Sequence, residues 1–569
     1  METNITKSLR ENSNKIVLDL IALLLVILTI FIPRIMELGQ FVTPDEHLWL
    51  TRSANFYYAL GQRDFAATNQ IYHPGVTTMW IGTAGFLSRY PEYRGSGIGQ
   101  IDSDTLHNYI NTIPDLEPID LLLAAKYLMV IAHTVILGIS YLYTRKLIGL
   151  EAAFTAFILI AFFPFHIGLS RVLQLDAMVS NLLLLSLLAF IYYLYKRNFR
   201  ELAVSAIAAG LSLLTKSPAF LLIPVILVLL RIDTIKKIST SINRSIKFQL
   251  RLLDYPLLFW VVICIIVIII FWPAMWVKPF QTISDVLSWI GEAAGGGHEW
   301  PVFFNGQIIE DGNLGLKYFY FYPVTFLFRS TPVVLIGLLI AIPGFLKKWE
   351  PFNEARVNLT LLGLCIFIAI FTIGLTLVGK KFDRYFLPVY MPLTILSTIG
   401  WVSLTNWLQK KFPEWLPNYR KYFILAVIII FQLAGVFQTY PYYFTYYNPI
   451  VGGSKKAPDI MLIGWGEGLD QAARYLNEKE NAEELKAISW YARGPFSYFF
   501  NGESRDLHPA TSPDNKYWNL FLSSDYAVIY VHQWQRGFPK PVVEYIENLT
   551  PEHSIWIDGI EYVRIFRIR

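Results

Sequence analysis

The sequence predicts an all-α polytopic membrane protein that ends in a small α/β domain. Of its 569 residues, 54% are hydrophobic and only 16% are charged, and the mean hydropathy is +0.42. Long apolar runs recur up to about residue 440, and soluble patterning begins at about residue 441. This composition excludes an ordinary soluble enzyme. We therefore expect a transmembrane domain at 1–440 and an extracytoplasmic soluble domain at 441–569.

The transmembrane domain is predicted from its apolar segments. Runs of about 17–25 apolar residues can cross a bilayer as helices, because only a helix satisfies its own backbone hydrogen bonds in hydrocarbon. The fifth and sixth runs are short and separated only by TKSP, so they form either two tilted spans or one broken hairpin. Both arrangements return the chain to the same side. We predict eleven segments, at 16–38, 119–142, 149–167, 176–195, 201–214, 218–231, 256–276, 325–346, 358–378, 387–406 and 422–440.

The charges of the loops predict the orientation. Lysines and arginines precede the first segment and follow the second, fourth, sixth, eighth and tenth. Positive residues in short loops stay cytoplasmic, so the N-terminus is predicted inside and the C-terminal domain outside a plasma membrane. These loops also supply most of the net charge of +5, which gives no reason to expect a nucleic-acid partner. The outer segments are then 40–118, 168–175, 215–217, 277–324, 379–386 and the tail.

The tail reads as a small α/β domain. KAISWYA, YAVIYVH and YVRIFRIR are rich in β-branched and aromatic residues and predict strands, whereas GLDQAARYLNEKENAEEL predicts a helix. The preceding GWGEG does not have the spacing of a GxGxxG phosphate loop, so we interpret it as a turn that leads into the helix.

Two adjacent carboxylates, Asp45 and Glu46, follow the first segment in FVTPDEHLWL. One interpretation is that they only begin a solvated helix, with Thr43 as its N-cap and the acids favoured by the helix dipole. The other is that they form part of a site. His73, in IYHPGV, is predicted to lie in an extended turn facing the same zone, with either a structural or a substrate-binding role.

Ionisable residues cluster in other segments of the same face. Arg171 and Asp176 lie between two apolar runs, where they either close a helical hairpin as an ion pair or belong to the site. Lys216 either extends to the interface or binds an anion. Lys380, Lys381 and Arg384, in LVGKKFDRYFLPVYMPL, oppose the positive-inside bias and so favour a negative ligand such as a phosphate at headgroup depth.

These residue types suit glycosyl transfer from a lipid phosphate. A carboxylate, for which we favour Asp45, deprotonates the acceptor hydroxyl, while cations stabilise charge on the departing phosphate. A base directly behind the acceptor oxygen favours one in-line displacement and inversion at the anomeric carbon. Asp45 and Asp176 also offer hard oxygen ligands to a divalent cation, Mg²⁺ or Mn²⁺, although paired carboxylates work without a metal.

The DE pair, the Arg-to-Asp loop, LLTKSPA and KKFDRYFLPVYMPL together resemble the protein O-mannosyltransferase and aminoarabinose transferase superfamily, glycosyltransferase family 39, of the GT-C fold. The resemblance covers roughly residues 16–440. It implies that Asp45 occupies the catalytic acidic position and that Glu46 completes the pair. It also implies a polyprenyl-phosphate monosaccharide as donor, consistent with the lack of a Walker-type nucleotide motif.

The resemblance further implies that Arg171 and Asp176 line the same cavity, where some relatives hold a divalent ion, and that Lys216 and Arg384 face the donor phosphate. Two departures limit it: the tail lacks β-trefoil repeats, and His73 stands where aminoarabinose transferases place a lysine. The acceptor therefore stays open among protein, lipid and glycan. A transporter or flippase of a lipid-linked sugar and an oligosaccharide-transferring relative are the alternatives.

Overall fold

The computed structural model of the protein describes residues 2–71, 73–239, 246–414, 418–508, 510, 512 and 516–569. Helices dominate as far as Thr439, and a five-stranded mixed sheet follows in the tail. The predicted combination of a polytopic helical part with a small C-terminal α/β part is confirmed.

Each predicted apolar segment coincides with helix, because every run is apolar on all sides and interrupted only at prolines or charged loops. The helices of this bundle are Glu2–Ile35, Pro118–Ile148, Leu150–Ala161, Pro164–Leu169, Asp176–Lys196, Phe199–Thr215, Leu222–Ser239, Ile246–Phe271, Phe321–Arg329, Pro332–Leu346, Ala355–Leu377, Leu387–Lys411 and Asn418–Thr439.

Fewer long apolar helices are found than the eleven predicted segments. Among the described residues, seven helices are long and apolar enough to cross a membrane, or eight if one bent pair counts as a span. The third predicted segment ends as a helix at Ala161, and Pro164 starts a new short helix, since proline lacks a backbone donor. The eighth is bent by 116° before Pro332, where Thr331 caps the second helix.

The segments predicted to be outer fold against the bundle. The helices Glu46–Gln62, Val76–Arg89, Tyr93–Ser96 and Ser103–Ile110 share an apolar cluster with Pro118–Ile148, so the long first loop is packed and not extended. The seventh predicted segment ends in the short helix Ala274–Val277, and the loop after it holds the helix Pro279–Gly295 and an antiparallel hairpin of Val302–Phe304 and Gln307–Ile309.

The three predicted strands of the tail are confirmed within the five-stranded sheet. From edge to edge the strands are Glu503–Asp506, Lys486–Ser489, Tyr526–Tyr530, Ile560–Arg567 and His553–Ile557. The first three run parallel and the last two form an antiparallel hairpin. The helices around the sheet are Gly453–Ile460, Leu469–Asn477, Lys516–Leu522, Val531–Arg536 and Lys540–Ile546.

The tail docks on the segment just before Asp45. Gly466, in the GWGEG turn, has φ +108°, and a Cβ atom there would come within 2.5 Å of the Val42 carbonyl oxygen. Only glycine permits both the conformation and the approach. Asp470 accepts hydrogen bonds from Gln40 at 3.0 Å and from Tyr442 at 2.7 Å. The turn therefore leads into a helix, as interpreted, and also fixes the approach to Asp45.

Candidate active site

Asp45 lies at the junction of two cavities. The first, of about 460 Å³, is lined by Trp49, His73, Asp176, Lys216 and Phe220 among others, and we name it the bundle-side cavity. The second, of about 390 Å³, lies under the C-terminal domain and is named the domain-side cavity. The residues that line the domain-side cavity include Trp300, Trp465, Glu467, Trp490, Tyr491, His508, His532 and Arg536. The residues that line both are Asp45, Lys380, Arg384 and Tyr385.

A chain of alternating charges runs through the junction. Arg384 lies between two carboxylates, with Nη2 3.6 Å from Asp45 Oδ2 and Nε 3.3 Å from Asp176 Oδ2. Lys216 donates from Nζ to the other oxygen of Asp176 at 2.5 Å, and its ammonium lies 4.2 Å from the centroid of the Tyr385 ring. Four predicted outer segments, at 40–118, 168–175 with the helix that follows it, 215–217 and 379–386, therefore meet at one place.

The two adjacent acids point to different environments. Asp45 is the N-cap of the helix Glu46–Gln62, yet its side chain makes no capping hydrogen bond and is 36% exposed. The cap is therefore not Thr43, which was the alternative interpretation. Among the described residues, the Asp45 carboxylate is held only by the long contact to Arg384, which leaves it room to accept a proton from a substrate.

Glu46 is completely buried and lines neither cavity. Its carboxylate accepts hydrogen bonds from the backbone N–H groups of Thr43 at 2.7 Å and Leu173 at 3.0 Å, and Lys126 Nζ lies 3.2 Å away. The Asp45 turn is thereby tied to the loop before Asp176. Lys126 lies in the middle of an apolar segment and was not selected from the sequence.

His73 is part of the bundle-side cavity, as a neutral group. Its ring stacks on Trp289 at 4.7 Å and meets Trp49 edge-on at 5.9 Å. Burial, with a smaller contribution from Lys216, lowers the pKa of His73 to about 3. At neutral pH it can therefore donate or accept one hydrogen bond, but it supplies no positive charge to a phosphate.

Two of the predicted phosphate contacts lie outside the bundle-side cavity. Arg171 is buried and donates from Nη2 to the Met36 carbonyl oxygen at 2.5 Å, so it fastens the end of the first helix and not a ligand. Lys381 lines only the domain-side cavity, and its Nζ donates to the carbonyl oxygens of Gly315 at 2.5 Å and Val378 at 2.8 Å. Burial lowers the pKa of Lys381 to about 8.

The neighbouring Lys380 lines both cavities and is half-buried. Arg52 also lines the bundle-side cavity, where its guanidinium lies 4.6 Å from the Trp49 ring centroid. Arg52 was missed because it sits mid-helix, about two turns after Asp45, among residues of mixed polarity. Only the helical register shows that it faces the same way as Asp45.

The individual residues that the C-terminal domain contributes were not selected from the sequence. Trp490, His508 and His532 each follow the carboxyl end of one of the three parallel strands. The carboxyl ends of parallel strands meet at one sheet edge, which is where α/β domains bind ligands. Since two of these strands were predicted, the residues after KAIS and YAVIY carried a usable signal.

The carboxylates at the junction do not fit a resident divalent cation. Mg²⁺ and Mn²⁺ need several oxygen ligands, and of the predicted pair Asp45 and Asp176 the latter already has a cation at each oxygen, Lys216 and Arg384. Glu46 points into the protein and cannot join them. Within the described ranges, no group of three or more His, Cys, Asp or Glu side chains is placed to hold a metal.

Comparisons with known proteins agree with the geometry. Residues 121–272 match the family model described as dolichyl-phosphate-mannose-protein mannosyltransferase. No match was found among curated protein sequences. Among solved structures, the S. cerevisiae protein O-mannosyltransferase Pmt1–Pmt2 complex bound to the sugar donor has a TM-score of 0.50 at 10% identity, over 74% of this chain and 89% of that one. ArnT from Cupriavidus metallidurans bound to undecaprenyl phosphate has a TM-score of 0.43 at 13% identity, over 97% and 98%.

The fold is therefore that of the GT-C membrane glycosyltransferases, and the chain is a multi-pass integral membrane protein. Residues 121–272 are similar to the dolichyl-phosphate-mannose-protein mannosyltransferase family, in agreement with the resemblance inferred from the motifs.

Proposed function

We propose that the protein is an inverting glycosyltransferase that moves one sugar residue from a polyprenyl phosphate to an acceptor hydroxyl on the non-cytoplasmic side of the plasma membrane. The observation that carries this proposal is the position of Asp45 at the junction of the two cavities. In this arrangement the donor occupies the bundle-side cavity and the acceptor the domain-side cavity, so the reacting atoms meet beside one carboxylate.

The bundle-side cavity suits a lipid phosphate. Apolar side chains such as Phe220, Leu221 and Leu375 line it beside the charged groups, which fits a polyprenyl chain next to its headgroup. With His73 neutral, the cations of the cavity outnumber its carboxylates, so an anion restores the balance. The charged groups are Arg52, Lys216, Lys380 and Arg384 on one side and Asp45 and Asp176 on the other.

Each charged group then has one role. Asp45 accepts the proton of the acceptor hydroxyl as that oxygen attacks the anomeric carbon, and the glycosidic oxygen leaves with the polyprenyl phosphate. Lys380 binds the phosphate equally before and during the reaction, and Arg384 stabilises the negative charge that grows on it. Asp176 holds Lys216 and Arg384 in place, and Glu46 positions the Asp45 turn without touching substrate.

The two alternatives receive less support. A transporter needs an alternating path through the bundle, with charged groups near its midplane, whereas here the charges collect where outer loops meet two cavities. An oligosaccharide-transferring relative differs only in the size of the group moved. The test therefore measures the product.

The test uses the purified full-length protein in detergent with polyprenyl-phosphate monosaccharides and a mixture of envelope glycans, glycolipids and peptides as acceptors. We expect release of polyprenyl phosphate coupled to a product heavier by one sugar residue, with the anomeric configuration inverted. A product carrying a preassembled oligosaccharide, or a retained configuration, contradicts the proposal. So does movement of the intact donor across a liposome membrane without transfer.

Two neighbouring lysines give a matched test of the donor site. Lys380→Met removes a half-buried cation at the junction, so we expect the KM for the donor to rise about tenfold while kcat changes little. Lys381→Met removes an amine that only contacts carbonyl groups, so the donor KM should stay near the wild-type value. Equal effects of the two substitutions on the donor KM contradict the assignment.

A further inference from the structure

The domain-side cavity contains a buried arginine without a counter-ion. Arg536, at the end of the helix Val531–Arg536, is only 8% exposed, and its Nε has no hydrogen-bond partner. Within the described part of the chain, no carboxylate lies in ion-pair distance of its guanidinium. An arginine stays charged when buried, and an unpaired buried charge is costly. Such a group indicates a ligand that supplies the missing negative charge.

Three other cations of this cavity are already engaged. Arg329 donates to Asp383 at 2.7 Å, Arg384 faces Asp45, and the amine of Lys381 is bound to carbonyl groups. Arg536 is therefore distinct from the cations that hold the junction together. Its position also differs from theirs, because it comes from the C-terminal domain and not from the bundle.

A second unsatisfied group lies in the same cavity. Glu467 is completely buried, and its Oε2 accepts hydrogen bonds from the backbone N–H of Trp465 and from the Tyr530 hydroxyl. Its Oε1 has no partner. A carboxylate oxygen with a free lone pair is a common acceptor for ligand hydroxyl groups. Burial raises the pKa of Glu467 above its ordinary value.

The remaining walls are aromatic. Trp300 and Trp465 are half-buried and line the cavity, and the ring centroid of Trp490 lies 5.6 Å from that of Trp300 and 3.8 Å from that of His508. Flat aromatic faces beside a few polar groups bind the apolar C–H face of a sugar ring, because stacking uses that face and the polar groups take the hydroxyls.

We infer that the domain-side cavity binds an anionic sugar, with a carboxylate or phosphate group of the ligand on Arg536, its hydroxyls on Glu467 and its ring against Trp300 and Trp465. This names the acceptor class and so rests on the proposed function. The acceptor is then a glycan that carries acidic residues, and a peptide without an acidic sugar is a poor ligand. The C-terminal domain selects the acceptor, while the bundle binds the donor.

The experiment measures binding of matched methyl glycosides to the full-length protein in detergent, without donor. Methyl glucoside, methyl glucuronoside and methyl glucoside 6-phosphate share one ring, and the galacto series repeats the set. We expect at least one acidic member to bind about tenfold more tightly than its neutral partner, and the carboxylate and phosphate arms identify the anion. Equal binding of neutral and acidic members in both series overturns the inference.

Variants assign the preference to one cavity. Arg536→Gln should abolish the preference for acidic sugars, whereas Trp300→Ala should weaken the binding of neutral and acidic sugars alike. Arg52→Gln removes an equal charge from the bundle-side cavity alone, and Lys455→Gln removes one from the exposed surface, so both should keep the preference. A preference that survives Arg536→Gln, or that disappears with Arg52→Gln, overturns the inference.

A stability measurement separates ligand binding from packing. An unpaired buried charge destabilises the free protein, so Arg536→Met should raise the midpoint of thermal unfolding by about 1–2 °C. An arginine that serves only packing gives a lower midpoint instead, which contradicts the inference. Sugar binding is also measured in Asp45→Asn. If this variant loses transfer but still prefers acidic sugars, both proposals are supported. If the wild type prefers acidic sugars but shows no transfer at all, only the proposed function fails.

Discussion

We expect Asp45→Asn to slow sugar transfer by about 10²–10⁴-fold, the range that a positioned general base contributes. Asparagine has the same size and can keep a contact to Arg384, which lies 3.6 Å from the carboxylate in the wild type. It cannot accept the proton of the attacking hydroxyl. The loss should therefore appear in kcat, with the donor KM within a few-fold of the wild type.

The measurement is single-turnover transfer from a polyprenyl-phosphate monosaccharide by purified enzyme of unchanged thermal stability. Asp115→Asn is the matched control, because Asp115 is an exposed acid of the same outer loop and its left-handed backbone conformation also suits asparagine. Transfer by Asp45→Asn at a wild-type rate shows that another group takes the proton, and the assignment of the base then fails.

The helical architecture could be predicted because long apolar runs leave the chain no other structure in hydrocarbon. The breaks within these runs could not be predicted in the same way, since Pro164 and Pro332 shorten helices without changing the composition of the run. Mean hydropathy is averaged over a window of many residues, so a single proline hardly changes its value.

The segments that form the site could be predicted from the sequence, but the directions in which their side chains point were harder to predict. The outer segments were expected on one face, and they do meet around Asp45 and Arg384. Adjacent residues at the start of a helix, however, point about 100° apart. Glu46 therefore cannot share the cavity of Asp45. The same reasoning separates Lys380 from Lys381, one facing both cavities and the other fixed to carbonyl groups.

The site residues of the C-terminal domain show a different limit of prediction from sequence. Arg536 and Glu467 are far apart in the sequence and have no motif around them, so only the docking of the sheet onto the bundle brings them to Asp45. That docking depends on Gly466, whose conformation and contact with Val42 are tertiary features. The strand ends were a local signal, whereas the missing counter-ion of Arg536 is visible only in three dimensions.

We expect the buried pair of Glu46 and Lys126 to govern stability more than chemistry. Lys126→Met leaves the Glu46 carboxylate, which is completely buried, without its cation, and the expected loss is about 3–5 kcal/mol in the free energy of unfolding. Glu46→Ala should cost a similar amount, because it leaves Lys126 and two backbone N–H groups without their acceptor. Denaturant titration in micelles measures both.

The double variant distinguishes a positioning role from a catalytic one. Glu46→Gln combined with Lys126→Met removes both charges, so we expect stability to return to within about 1 kcal/mol of the wild type, since a buried pair replaced as a whole is often neutral. Transfer should then recover to within about tenfold of the wild type, because glutamine still accepts a backbone hydrogen bond and holds the Asp45 turn. A stable double variant that transfers as slowly as Asp45→Asn contradicts the positioning role and places Glu46 in the chemistry.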